Sequence, residues 1–153
     1  GAYEGKCNKV ERQAAEHFAE SLGLAFQLRD DLMDFIATDA DATKTIHQDF
    51  SCGYYTLPAI HTFTYPGCGE LLRKIAADLQ SGVRCREEAA AEISKLIEDA
   101  DGYGYTMRLI RGYCEEAIRA LNVFRDSEAK QCLKQIVESV CKGAERLMDN
   151  YML

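Results

Sequence analysis

Apolar residues recur every three or four positions along most of the chain, which is the spacing of one face of an α-helix. The most regular series predicts one long helix that packs at a shallow angle against its neighbours. Its members are Met107, Ile110, Cys114, Ala117, Leu121 and Phe124. A second series predicts the last helix, with Asp126 or Ser127 as its N-cap. That series is Leu133, Ile136, Val137, Val140, Ala144 and Leu147.

A shorter apolar series predicts a helix before these two, with Gly102 as the stop signal just beyond its end. Its members are Ile93, Leu96, Ile97 and Ala100. No segment shows the alternation of apolar and polar residues that is typical of strands, and no internal repeat or linker interrupts the chain. The pattern therefore predicts an all-α protein, most simply a helical bundle in one unit.

The first predicted helix runs from about residue 10 to about residue 36, and its pattern differs from the others. Apolar side chains occupy most directions of the helical wheel, while one narrow stripe is polar. The stripe consists of Gln27, Asp30, Asp31 and Asp34, and Arg29 points to the opposite side of the wheel. Such a helix is expected at the centre of a bundle, with its acidic line facing a cavity.

Composition narrows the possible ligands. The 153 residues include 25 acidic and 18 basic side chains, a net charge of −7, which disfavours nucleic acid as a partner and leaves room for metal cations.

The seven cysteines form no CxxC pair, so we interpret them as reduced thiols of a cytoplasmic protein, several of them within the core. Residues 50–69 lack charged side chains, but Pro58, Pro66 and three glycines favour a buried loop plus a short helix over a membrane segment.

The acidic line needs a counter-charge. Like charges one helical turn apart repel, and carboxylates removed from water must be paired, protonated or bound to a cation. A dense set of carboxylate oxygens suits Mg²⁺, which often shares its coordination shell with substrate phosphates. Residues 30–49 hold six aspartates and one lysine, Lys44, and an ammonium group beside aspartate-bound Mg²⁺ is suited to neutralising a diphosphate.

These residues resemble a known family. The run Phe26-Gln27-Leu28-Arg29-Asp30-Asp31-Leu32-Met33-Asp34 is similar to the second aspartate-rich motif, FQxxDDxxD, of the trans-isoprenyl diphosphate synthases, or polyprenyl synthetases. The resemblance continues in register through Lys44, Asp49, Gly53 and Thr56-Leu57-Pro58, and more weakly through residues 105–146. Thr43 and Tyr54 depart from the family pattern, without disturbing the metal motif.

The resemblance implies the all-α isoprenoid synthase fold and a Mg²⁺-dependent prenyltransferase, which condenses an allylic diphosphate with isopentenyl diphosphate head to tail. Asp30, Asp31 and Asp34 would then be metal ligands, Lys44 an allylic diphosphate contact, and Phe26 and Gln27 neighbours of isopentenyl diphosphate. The family's first aspartate-rich motif does not occur in this sequence. Residues 1–153 are therefore expected to be the C-terminal portion of a polyprenyl synthetase domain, inactive alone. The first residue is Gly1 and not Met, which fits a cloning scar or the cut end of a longer chain.

Two alternatives remain. The chain could be a natural non-catalytic small subunit that completes or regulates a partner synthase, and a native Met start near Gly1 would support that reading. A terpene cyclase is disfavoured, because cyclases of this fold typically carry a second metal motif of Asn, Ser and Glu. Either a fragment or a subunit would expose an apolar patch, so we expect a homodimer or association with the missing N-terminal half.

Overall fold

The computed structural model describes residues 5–36 and 48–151, and every regular element within these ranges is a helix. The prediction of an all-α bundle is therefore confirmed for the described residues. The helices are α1 (Lys9–Met33), α2 (Gln48–Ser51), α3 (Leu57–Phe63), α4 (Cys68–Gln80), α5 (Arg86–Asp99), α6 (Gly102–Ala120) and α7 (Glu128–Tyr151). A short 3₁₀ turn, Leu121–Val123, links α6 to α7.

Helix α6 is the hub of the bundle, because it packs against α1, α3, α5 and α7. The apolar series that predicted it is buried from Met107 to Leu121, while Phe124 lies beyond the helix and is half-buried. In α7 the predicted series is also buried at Val137, Val140, Ala144 and Leu147, but Ile136 is 49% exposed. Ile136 is therefore a large apolar side chain of α7 that is open to solvent.

Local capping groups fix where the long helices begin. Asn8 and Glu11 form a capping box at the start of α1, in which each side chain accepts a hydrogen bond from the other residue's backbone N–H, at 3.0 and 2.8 Å. At the start of α7 the Ser127 hydroxyl accepts a hydrogen bond from the Lys130 N–H, at 3.2 Å. Of the two predicted caps for α7, Ser127 is the one that binds the backbone, whereas Asp126 pairs with the Lys130 ammonium.

Helix α1 ends at Met33, three residues before the predicted end. The N–H groups of Phe35 and Ile36 both donate to the Leu32 carbonyl, at 3.0 and 3.1 Å, so the chain tightens into a turn. Both side chains stay buried, and the Phe35 ring lies 6.3 Å from that of Tyr103. The apolar pattern thus marked burial beyond the helix as well as within it.

Gly102 is not the stop signal that was expected. The left-handed residue that ends α5 is Asp101, with φ 56°, and Gly102 is the first residue of α6. Gly102 is needed for a different reason: a Cβ there would lie 2.7 Å from the Pro58 carbonyl oxygen and 2.8 Å from Ile97 Cγ2. The missing side chain lets α3 and α5 approach the start of α6.

The uncharged segment at residues 50–69 forms the end of α2, the short helix α3, two turns and the start of α4, with Gly53 and Gly67 at positive φ. The interpretation as a loop plus a short helix is thus correct in outline. Within the described ranges no helix is long and apolar enough to cross a membrane.

The seven cysteines are all free thiols, but only Cys114 is fully buried. Cys68 and Cys141 pack partly against the core, whereas Cys52, Cys85 and Cys132 are exposed. The expectation that several cysteines belong to the core therefore holds for Cys114 and, in part, for Cys68 and Cys141.

The buried thiol should react far more slowly than the exposed ones. Burial, and secondarily the neighbouring Cys141, raise the pKa of Cys114 to about 12, so its reactive thiolate is scarce at pH 8. Relative to an ordinary thiol of pKa about 8.5, we expect labelling at least about 100-fold slower from the thiolate fraction alone. Timed iodoacetamide labelling with peptide mass spectrometry measures this, with Cys132 as the exposed reference. Similar rates at Cys114 and Cys132 would contradict the buried position.

Candidate functional site

The acidic line lies at the C-terminal end of α1, where Asp30 and Asp31 are in the last turn and Asp34 caps the helix. All three aspartates are half-buried. The downstream segment folds back onto this end of the helix. The Leu57 N–H donates to Asp31 Oδ2 at 3.4 Å, and the Asp49 N–H donates to Asp34 Oδ1 at 3.3 Å. Residues far apart in sequence therefore meet at the acidic line.

Each aspartate has a different set of partners. Asp30 pairs with Arg29, whose Nη2 lies 3.0 Å from Asp30 Oδ1. The expectation that Arg29 points away from the acidic line was therefore wrong, because its long side chain reaches across the 100° between adjacent helical residues. Asp31 accepts a second hydrogen bond from Gln27 Nε2, at 3.0 Å. Gln27 thus orients the carboxylate of Asp31 one turn further along the helix.

Of the three aspartates, Asp34 is the one whose negative charge is least offset by its surroundings. Burial is the main influence on its carboxyl group and raises the pKa, and the like charge of Asp49 raises it further. Backbone N–H groups at the start of α2 lower the pKa, without cancelling the effect of burial. Among the described residues, Asp34 Oδ2 is buried without a hydrogen-bond partner. A buried carboxylate oxygen beside a second carboxylate is suited to a cation.

The segment that meets Asp31 adds a second unpartnered oxygen. Thr56 precedes α3 as its N-cap residue, but its hydroxyl makes no capping bond and is buried without a partner among the described residues. Sequence reasoning did not single out the contact between Leu57 and Asp31. The signal was present, since Pro58 marks the first turn of a helix, where backbone N–H groups have no partner inside the helix.

The other predicted site residues are placed as follows. Gln27 is exposed beside Asp31, whereas Phe26 is 46% exposed on another face of α1, with the Arg29 guanidinium 4.3 Å from its ring centroid. Lys44 lies outside the described residues. Within the described ranges, no three His, Cys, Asp or Glu side chains gather closely enough to form a metal site by themselves. The oxygen donors present have the chemistry that suits a hard divalent cation, with further ligands supplied by water or a phosphate.

Comparison with known proteins gives the family. The sequence model of the family described as Polyprenyl synthetase matches residues 1–98, which include the whole acidic line and the segment that folds back onto it. The chain belongs to the polyprenyl synthetase family. The weaker resemblance of residues 105–146 lies outside this match, whereas the predicted motif string lies entirely within it.

Relatives of this polyprenyl synthetase chain are named as prenyl diphosphate synthases. The chain is 33% identical over 131 residues to a probable mitochondrial hexaprenyl pyrophosphate synthase of Neurospora crassa, with 84% of this chain and 27% of the relative covered. It is 23% identical over 142 residues to heptaprenyl diphosphate synthase component 2 of Bacillus subtilis, with 93% of this chain and 39% of the relative covered.

A solved structure has the same fold. Geranylgeranyl pyrophosphate synthase from Corynebacterium glutamicum, solved in complex with calcium and isoprenyl diphosphate, matches with a TM-score of 0.72 at 22% identity. The match covers 92% of this chain and 42% of that one, so the fold is the all-α isoprenoid synthase fold that the resemblance implied. The chain spans less than half the length of these relatives.

Proposed function

We propose that this polypeptide is the C-terminal portion of a trans-prenyltransferase and carries the part of its active site that contains the second aspartate-rich motif. The reaction of the whole enzyme would be the head-to-tail condensation of an allylic diphosphate with isopentenyl diphosphate. The observation that carries the proposal is the meeting of the acidic line with the downstream motif segment, through the hydrogen bonds from Leu57 to Asp31 and from Asp49 to Asp34.

Asp30, Asp31 and Asp34 are the proposed ligands of Mg²⁺, and Lys44 is the proposed contact to the allylic diphosphate. When bound, Mg²⁺ would supply positive charge that stabilises the departing diphosphate. The unpartnered Asp34 oxygen supports this assignment, as does the calcium and isoprenyl diphosphate complex of the Corynebacterium enzyme. Phe26 and Gln27 are the residues proposed to lie near isopentenyl diphosphate.

The residues around the acidic line have positioning roles in this proposal. Gln27 and the Leu57 N–H together hold both oxygens of Asp31, which fixes the direction of that carboxylate. Asp34 is held through one oxygen only, by the start of α2, so its other oxygen remains available. Arg29 offsets the charge of Asp30 while no cation is bound.

The isolated chain is expected to be inactive, because its sequence contains a single DDxxD motif. Full activity would need the family's first aspartate-rich motif, supplied by the remaining part of the synthase. The chain is expected to associate with that part or to form a homodimer.

Nucleic acid is not an expected partner. The predicted cytoplasmic localisation stays a prediction, since the relative in Neurospora crassa is named as mitochondrial.

A non-catalytic small subunit is the second candidate function. One relative is itself named as a component of a heptaprenyl diphosphate synthase, which favours it. The reading frame upstream of Gly1 in the source gene separates the two candidates. A native start codon there would favour the subunit, and a continuous frame that encodes the first aspartate-rich motif would favour the fragment.

Binding and turnover measurements test the proposed site. We expect inorganic pyrophosphate to bind the isolated chain by calorimetry in the presence of Mg²⁺ and not in EDTA. We expect no product when the chain is given an allylic diphosphate, isopentenyl diphosphate and Mg²⁺. Turnover by the isolated chain would contradict the inactive-fragment proposal. Equal pyrophosphate binding with and without Mg²⁺ would contradict the metal assignment.

A further inference from the structure

Two of the seven cysteines face each other where α6 packs against α7. Cys114 belongs to α6 and Cys141 to α7. The Cys114 Sγ lies 3.9 Å from the Val137 carbonyl oxygen, one helical turn before Cys141. The two thiols also contact each other, since a hydrogen bond between them contributes to the pKa of both groups. The thiols are therefore neighbours in space, although residues 115–140 separate them along the chain.

The pair has one buried and one accessible member. Cys114 is 4% exposed, whereas Cys141 is half-buried. Both line an open groove of about 320 Å³ between the two helices. A small reagent can therefore reach the Cys141 thiol from solvent, while Cys114 is shielded from direct attack.

The charges around this groove do not favour a thiolate. Arg111 pairs with Glu145 at 3.1 Å, and Glu115 is a further carboxylate of the rim. Burial is the largest influence on both thiols and raises both pKa values, and the charge of Glu145 raises them further. At neutral pH both thiols are therefore largely protonated.

An uncharged product suits such a pair better than a metal thiolate. Within the described ranges no three His, Cys, Asp or Glu side chains gather closely enough to hold a metal ion. A metal would also leave two thiolates beside the carboxylate of Glu145. A disulfide needs only the two sulfur atoms and leaves no charge in the groove.

We propose that Cys114 and Cys141 are a redox modification site, at which a small disulfide from solution converts the two thiols into a reversible disulfide that links α6 to α7. The link would join the helix at the hub of the bundle to the last helix of the chain. It goes beyond the proposed function, because it involves neither the acidic line nor a diphosphate.

The bond forms in two exchange steps. The Cys141 thiolate attacks one sulfur of the small disulfide, and a mixed disulfide forms as the first small thiol leaves. The Cys114 sulfur then attacks Cys141 Sγ, and the second small thiol leaves. The protein thiols lose two electrons, the reagent disulfide gains them, and both protons end on the released thiols. The first step is slow because the thiolate is scarce, and the second gains from proximity.

Mass spectrometry identifies the bonds that form. The folded chain is treated with hydroxyethyl disulfide, a small uncharged reagent, and the remaining thiols are trapped with N-ethylmaleimide before digestion without reductant. We expect the link between Cys114 and Cys141 to be at least about 10-fold more abundant than a link between any other two cysteines. Cys132 is the reference, because it is exposed and points about 180° away from Cys141 on α7. It should stop at the mixed disulfide.

Urea unfolding measures the effect of the link on the fold. A bond that closes the loop of residues 114–141 restricts the unfolded chain. We expect the urea midpoint to rise by about 1 M on oxidation and to return on reduction with dithiothreitol. Cys132→Ser should keep this rise, whereas Cys141→Ser should lose it.

Two variants separate the two chemical steps. In Cys114→Ala the mixed disulfide at Cys141 should persist, because the second thiol is missing. In Cys141→Ser the buried Cys114 should stay unmodified. Circular dichroism before oxidation shows whether each variant keeps its helices. If Cys114→Ala does not fold, the unchanged chain and Cys141→Ser still give the comparison.

Three results would overturn the modification site. The first is a chain in which Cys132 carries the mixed disulfide and no link joins Cys114 to Cys141. The second is a predominance of links between separate chains, and the third is a rise of the urea midpoint that Cys141→Ser retains. These assays contain neither Mg²⁺ nor a diphosphate, so their failure would leave the proposed metal site standing.

Discussion

The variant Asp34→Asn is expected to bind Mg²⁺-dependent pyrophosphate about 10- to 100-fold more weakly than the unchanged chain, and yet to be slightly more stable. The amide keeps an oxygen to accept the hydrogen bond from the Asp49 N–H, so the local fold is preserved. It removes the negative charge that burial and Asp49 both disfavour. Loss of affinity with a gain in stability is typical of residues retained for binding.

The stability change has a defined pH dependence. The pKa of Asp34 is raised in the folded chain, so the folded state keeps this proton to higher pH than the unfolded state does. The resulting stabilisation is present below the unfolded pKa and is lost as the pH rises through the folded pKa. At neutral pH the charged carboxylate therefore opposes folding, and Asp34→Asn should be slightly more stable than the unchanged chain there.

Urea unfolding at pH 4 and pH 7 in EDTA measures the change in stability. Separate calorimetry with Mg²⁺ and pyrophosphate, without EDTA, measures the change in affinity. The control is Asp149→Asn, an exposed change near the end of α7 and far along the chain from the acidic line. It should alter neither the affinity nor the pH dependence. Unchanged pyrophosphate affinity in Asp34→Asn would remove Asp34 from the proposed metal ligands, whatever happens to stability.

The variant Gly102→Ala is expected to lose about 1–3 kcal/mol of unfolding free energy, the largest stability effect that we predict. The added methyl group would press on the Pro58 carbonyl, on Ile97 and on Thr62 Oγ1, which lies 3.0 Å from the ideal Cβ position. Two of these atoms belong to α3. Since Pro58 follows the residue whose N–H binds Asp31, we also expect weaker pyrophosphate binding.

Gly112→Ala is the matched control for this change, because the same methyl group meets nothing within 4 Å there. It should be neutral or stabilise the chain by about 0.5–1 kcal/mol, the usual gain from replacing glycine within a helix. Urea unfolding of both variants gives the comparison. Equal stability of Gly102→Ala and Gly112→Ala would show that α3 moves aside at little cost, and that the close approach at Gly102 does not constrain the fold.

The helices themselves could be predicted from the sequence, because their apolar residues repeat at helical spacing and face the core around α6. The ends of the helices were harder to predict. Phe35 and Ile36 continue the apolar pattern after α1 has ended, because a tight turn buries them as well as a helix would. Asp101, and not Gly102, adopts the left-handed conformation. Glycine is needed at position 102 because the neighbouring atoms leave no room for a Cβ.

The site was predictable as a set of residues but not as a set of contacts. The spacing of Asp30, Asp31 and Asp34 on one helix follows from helical geometry. The hydrogen bonds from Leu57 to Asp31 and from Asp49 to Asp34 depend on how a distant segment packs, which no local pattern encodes. The pairing of Arg29 with Asp30 depends on a rotamer, and a helical wheel gives only the direction of the Cβ.

The position of the acidic line at the end of α1 couples ligand binding to the electrostatics of the helix itself. The carbonyl groups at the C-terminus of a helix carry partial negative charge, and carboxylates there are unfavourable by about 0.3–1 kcal/mol each. The last turn of α1 contains Asp30 and Asp31 and no basic residue, so the macrodipole and the side chains repel each other. A bound cation would add to the counter-charge that Arg29 already gives Asp30 at this helix end. Its binding energy would then appear partly as resistance of α1 to fraying, and the divalent ion would stabilise the element that holds it.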